Sequence, residues 1–151
     1  MRDNITAALK DAMKARDARR ISTLRLMMAA IKDRDIAARS EDRCEGASQD
    51  EILQVLTKMV RQREESIKTY EDAGRADLAE QEREEKAIIE GFLPRQLTSD
   101  EIKAACGTVV QEIGACGLKD MGRCMGTLKE RYAGQMDFGR ASAIVKTMLA
   151  S

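Results

Sequence analysis

The sequence has 151 residues, 43% apolar and 34% charged, with one proline, two tyrosines, two phenylalanines, no tryptophan and no histidine. That length holds one compact domain or a larger module with a smaller one, and a composition rich in Ala, Glu, Arg, Lys and Met favours helices over sheets. Lys plus Arg number 26 and Asp plus Glu also 26, so no global charge marks an unspecific polyanion binder. The balance conceals segregation: residues 1–43 carry 11 basic and 7 acidic side chains, residues 45–94 carry 7 and 13, and the remainder 8 and 6.

From Asp3 the apolar positions Ile5, Leu9, Ala12 and Met13 recur at helical spacing, followed by Ile21, Leu24, Met28 and Ile31. Two helices or one kinked helix fit this pattern. The stretch 40–48, with Asp42, Gly46 and Ser48, carries turn and capping chemistry and is expected to be an exposed loop. Ser48 and Glu51 have capping-box spacing ahead of Ile52, Leu56, Met59, Arg63, Ile67 and Tyr70, a single helical face ended by Gly74. A charged helix then runs from about Ala76 through Leu78, Ile88 and Ile89 to Gly91, with most of its surface expected in water.

Pro94 excludes helical backbone from the residue before it, so Phe92 to Leu97 is expected to be extended and to mark a boundary between residues 1–93 and 94–151. Beyond it, Thr98 with Glu101 repeats the capping-box spacing, and Ile102, Cys106, Val109 and Ile113 form a stripe ended by Gly114 or Gly117. Two short helices follow, one with Met121, Met125, Leu128 and Tyr132, the other starting near Asp137 with Phe138, Ala141, Val145 and Met148. The expected fold is all-α: an N-terminal hairpin or bundle of about four helices, then a three-helix module.

The absence of histidine removes the commonest general base, the usual metal ligand and every Cys-His or Ser-His nucleophile arrangement. No GxxxxGK[ST] loop and no GxGxxG after a strand offers a phosphate cradle. Cys44, Cys106, Cys116 and Cys124 contain no CxxC pair and read as free thiols, with Cys106 on an apolar stripe. Glu64, Glu65, Glu82, Glu84 and Glu85 lie three or four positions from basic residues, the pattern of solvated helix faces. No catalytic, metal or cofactor site is therefore expected. The first residues lack the apolar core of a signal peptide, and no run of about 18 apolar residues could span a bilayer, which makes cytoplasm the expected location and a membrane an unexpected partner.

Basic residues carry the positive signal. Lys119, Arg123, Lys129 and Arg131 flank Gly122 and Gly126, which sit four apart in an otherwise helical segment. Glycine weakens a helix, so it needs a reason: close approach of another helix, or access of an RNA backbone to the helix N-terminus. Gly139, Arg140 and Lys146 open the last helix in a comparable way, and Tyr132 and Phe138 read as core side chains. A secondary cluster, Arg16, Arg19, Arg20 and Arg25, gathers where the first two helices join, either as a phosphate site or as a solvated turn.

The order of several short segments resembles the GatB/YqeY family: Leu24-Arg25-Leu26 with Ala29-Ala30-Ile31-Lys32; Arg63-Glu64-Glu65-Ser66 with Tyr70, Ala73-Gly74-Arg75, Asp77-Leu78-Ala79 and Glu82; Phe92-Leu93-Pro94 with Gln96-Leu97; and Asp120-Met121-Gly122 with Met125. The resemblance implies a C-terminal module like the tail domain of the B subunit of the tRNA-dependent amidotransferase, which helps hold the tRNA body while catalysis occurs elsewhere. It thus implies a non-catalytic accessory whose partners are tRNA and a tRNA-dependent amidotransferase or aminoacylation complex. Two alternatives stand beside it: a protein-interaction module using the acidic helices and methionine-rich faces, and a carbon-nitrogen ligase with glutamine as amido-nitrogen donor. The second would need an activated nucleophile and an ATP site that the residues do not display.

Overall fold

The computed structural model describes residues 1–42 and 45–150; Cys44 lies outside them. Among the described residues there are seven α-helices, one short 3-10 turn and no strand, so the protein is all-α. The chain divides into two compact units, Met1–Pro94 and Arg95–Ser151.

In the first unit α1 (Arg2–Ala15) and α2 (Ala18–Ser40) are separate helices. Arg16 closes α1 with a left-handed backbone (φ 58°), and the Asp17 side chain accepts the Arg20 N–H to start α2. The α2–α3 connection is less exposed than its composition suggests, because Gly46 and Ala47 are buried. Asp35 of α2 reaches it, accepting the Ala47 N–H at 2.9 Å and a forked pair from the Arg2 guanidinium at 2.7 and 2.5 Å. Gly46 has φ +83°, and a β-carbon there would stand 2.7 Å from an Asp35 carboxylate oxygen. Only glycine satisfies both conditions. The Arg2 bond, then the Ala47 N–H, hold the Asp35 carboxyl down at about 2.

The Ser48–Glu51 capping box is complete and opens α3 (Gln49–Asp72), whose Ile52, Leu56 and Met59 enter the core. Gly74, at φ +72°, turns the chain into α4 (Ala76–Glu90), which packs along α3. Leu24, Met27, Ile31, Ile52, Leu56 and Ile89 form the centre of the core.

The reading of the glutamates as solvated requires correction at two positions. Glu82 and Glu85 are largely covered, with side chains 20% and 16% exposed, and both meet the equally covered Arg63 guanidinium, at 3.5 and 2.9 Å. Arg19 reaches across from α2 to Glu84 and Glu85 at 3.2 and 3.7 Å. The i,i+4 spacing that made these residues look like water-facing pairs also permits pairing between helices, which one-dimensional spacing does not distinguish. Burial, then the neighbouring Glu85, push the Glu82 carboxyl upward.

After α4 the segment departs from the extended backbone expected ahead of Pro94. Phe92 and Leu93 donate to the Ile89 and Glu90 carbonyls, continuing the helix end as a turn, and regular structure is absent only over 95–98. Phe92 and Leu93 thereby pack against the first core.

In the second unit Thr98 accepts the Glu101 N–H at the start of α5 (Ser99–Ile113), and Gly114, at φ +70°, ends it. A 3-10 turn, Leu118–Asp120, precedes α6 (Met121–Arg131), and α7 (Phe138–Ala150) completes a three-helix core in which α5, α6 and α7 each pack on the other two. The buried phase of α6 runs through Cys124 and Leu128, while Met121, Met125 and Tyr132 are half-buried at its margin. Met136 and Leu149 join this core, and Met148 lies at its edge. Tyr132 and Phe138 both pack against it. Cys106 and Cys124 are buried free thiols, each pushed up first by burial, and Cys116 is exposed.

Candidate nucleic-acid interface

The strongest basic feature is built on α6 of the second unit. The buried Asp120 accepts the Cys116 N–H at 3.1 Å, which pins the 3-10 turn, and takes the Arg123 guanidinium at 3.4 Å. This carboxylate fixes the chain entering α6; its signal in the sequence was the i,i+3 spacing from Asp120 to Arg123. Gly122, Gly126 and Lys129 follow at intervals of four and three, hence on one side of α6, and all three are exposed.

The glycines answer one of the two questions posed for them. A β-carbon built at Gly122 or Gly126 would meet nothing within 4 Å. Close approach of another helix is therefore not what uses these positions within the described residues. Each costs helix stability of about 0.5–1 kcal/mol relative to alanine without a packing return. Bare backbone faces outward between Lys119, exposed in the 3-10 turn, and Lys129.

The remaining cations divide. Lys119, Lys129 and Lys146 are exposed and form no ion pair among the described residues. Arg131 is bound at 2.6 Å to Glu112 of α5, with both side chains about half exposed (46% and 47%), an arrangement worth at most about 1 kcal/mol. Arg123, 67% exposed, also remains open to solvent beside Asp120. The Asp137 side chain accepts the Arg140 N–H at 2.9 Å and caps the first turn of α7, next to the exposed Gly139.

The secondary cluster is partly engaged within the fold. Arg19 is taken up by Glu84 and Glu85 of α4. Arg16 is exposed at the left-handed cap of α1, Arg20 is half-buried on the first turn of α2, and Arg25 stands exposed more than a turn further along. Among the described residues no group of three or more Cys, Asp or Glu side chains could hold a metal ion, and no helix is long and apolar enough to cross a membrane.

Residues 2–149 match the family model of YqeY-like proteins. The chain belongs to the YqeY-like family. Its curated relatives include three yeast proteins, each named altered inheritance of mitochondria protein 41, mitochondrial. The one from Lachancea thermotolerans is 36% identical over 90 residues, covering 60% of this chain and 46% of the relative. That of Clavispora lusitaniae is 28% identical over 147 residues, 95% of this chain and 81% of the relative. In Meyerozyma guilliermondii the identity is 29% over 140 residues, 87% and 70% of the respective chains. The match thus spans from about half to four-fifths of these relatives' length. Their names correct the cytoplasmic expectation, since the relatives of this YqeY-like chain are mitochondrial proteins. The physical reason is plain: targeting signals set location, and the composition of a folded helical domain carries no address.

Proposed function

We propose that this YqeY-like protein is a non-catalytic accessory that binds tRNA, alone or within a tRNA-amidotransferase-like complex, through its C-terminal unit. The observation that carries the reading is the exposed backbone at Gly122 and Gly126, with open space over both, flanked by the unpaired Lys119 and Lys129. At Gly122, in the first turn of α6, a phosphate can come closer than a β-carbon would allow to amides and a helix dipole that favour negative charge, and Gly126 keeps the next turn equally low. Arg123 stands at the same turn, and α7 of the same unit carries Arg140 and the exposed Lys146. Such contacts fix a nucleic-acid backbone without reading its sequence.

The test is a fluorescence-anisotropy titration with bulk tRNA at low and physiological salt, beside a DNA duplex of matched charge. Binding should prefer tRNA and weaken with salt, and K119A/K129A should flatten the log–log salt slope by about one to two. Gly126→Ala should weaken binding although it leaves every charge in place. Equal affinity for the DNA duplex, or identical salt slopes for the lysine variant and the parent, would reject the assignment.

A further inference from the structure

Helix α2 is apolar on two sides. Its inward side is expected: Leu24, Met27 and Ile31 are 0–4% exposed. Its outward side is less expected, because Leu26, Met28 and Ile36 are 46%, 36% and 55% exposed, and Met13 of the adjoining α1 is 51% exposed. Apart from Leu118 in the other unit, these are the exposed large apolar side chains among the described residues. Leu26 and Met28, two positions apart, stand on opposite flanks of this outward side with Ile36 between them, so the side is apolar across its width, as interaction surfaces are.

The surface is grooved. Between α1 and α2 lies a depression of about 350 Å³, lined by Ile5, Thr6, Met28, Ala29 and Lys32, with the Arg2–Asp35 pair at one end. A second, of about 510 Å³, lies along α2 against Ala18, Ile21, Ser22, Arg25 and Leu26. Small residues at 18, 22 and 29 keep the surface low between the larger side chains, as a helix laid into a groove requires. The methionines at its margin can adapt to an apolar ridge.

The charge on this face is predominantly basic. By helical spacing Arg25, Lys32 and Arg39 share it, and all three are exposed. Of the acids on it, Asp35 is engaged by Arg2 and Ala47, and the exposed Asp33 lies towards the Leu26 flank, away from the basic stripe. We infer that the α1–α2 face docks an amphipathic helix of a protein partner, its apolar ridge in the groove and its flanks acidic, opposite Arg25, Lys32 and Arg39.

Other occupants fit less well. A second copy would have to offer its acid-rich α3 or α4, yet neither carries an exposed large apolar side chain among the described residues. Two α2 faces laid together would oppose the same three cations, which repel. An anionic membrane would favour protruding bulky or aromatic side chains; here the centre is recessed at Ala29 and Ser22, and the face bears no aromatic residue.

Three labelled helical peptides of one length probe this face on the full chain: one with leucines at i, i+4, i+7 and i+11 flanked by glutamates, one with lysines in place of the glutamates, and one scrambled. The leucine–glutamate peptide should bind about ten-fold or more tightly than either control. In the 15N-labelled protein it should shift amides of Arg2–Ser40. Ala29→Glu, at an exposed position, should abolish binding with unchanged thermal unfolding, while Lys32→Ala should weaken it and reduce its salt dependence. Equal binding of the three peptides, or shifts concentrated outside α1 and α2, would overturn the inference. Tighter binding to phosphatidylserine vesicles, or dimerisation in sedimentation that Ala29→Glu removes, would overturn it in favour of a membrane or a second copy.

Discussion

The two units use their charges differently. In Met1–Pro94 the charged side chains of α2, α3 and α4 cross-link helices: Arg63 with Glu82 and Glu85, Arg19 with Glu84 and Glu85, Arg34 with Glu51, Arg83 with Glu71. In Arg95–Ser151 the four lysines, Lys103, Lys119, Lys129 and Lys146, form no ion pair among the described residues, and the glycines between Lys119 and Lys129 are uncovered. The acidic middle of the sequence is therefore largely internal adhesive. The mildly basic C-terminal end, with fewer charges, spends none of its lysines on such cross-links. Net charge alone would have pointed away from it.

The largest expected effect tests the smaller core. Leu128 and Leu56 are both fully buried, one in each unit. Leu128→Ala should cost about 2–4 kcal/mol in urea denaturation, and it should impair the second unit more completely than Leu56→Ala impairs the first, because a smaller core has less to lose. Equal and full retention of helicity in both variants would show that core size does not separate the units.

Next in size is the charge cross-link. Arg63→Met keeps the apolar stem but leaves the largely covered Glu82 without its cation and Glu85 with Arg19 alone, a loss of about 2 kcal/mol at pH 7. Acid should relieve it. The folded-state pKa of Glu82 lies above its ordinary 4.5, so the folded protein takes that proton first, and stability contributed by this group rises as pH falls from the raised value towards 4.5. A destabilisation of the Arg63→Met variant that is independent of pH between 7 and 4.5 would contradict the pairing.

Asp35 should behave with the opposite sign. Its carboxyl is held at about 2 against an ordinary 3.8, so its contribution is complete above 3.8 and disappears as pH falls towards 2. Asp35→Asn should cost about 1–2 kcal/mol at pH 7, kept modest by the 42% exposure of Arg2, and should remove that part of the acid transition. The smallest effect is a gain. Gly126→Ala should stabilise the protein by about 0.5–1 kcal/mol in thermal or urea unfolding, since the added methyl meets nothing. Destabilisation would mean that the helix face is covered after all.

Much of the fold was legible. Local signals act over three or four residues, and so Ser48 with Glu51, Gly74, Thr98 and the apolar stripes of α3 and α5 announced where helices begin, end and face the core. The signal failed where a second helix supplied the partner. Cys124 displaced the expected α6 stripe because α6 touches both α5 and α7, and Phe92 and Leu93 turned onto a core instead of extending before Pro94. At the candidate site, the basic residues and glycines were visible individually, but their availability was not.

The sequence by itself determined that the protein is helical, and its ordered motifs placed it in its family, because backbone propensity, capping and apolar periodicity are local properties. Tertiary structure alone decided which cations are engaged and which are open, which of two apolar sides of α2 is inward, and that the α6 glycines face empty space. These are properties of distances between residues far apart in the chain, and spacing along one helix leaves them undetermined.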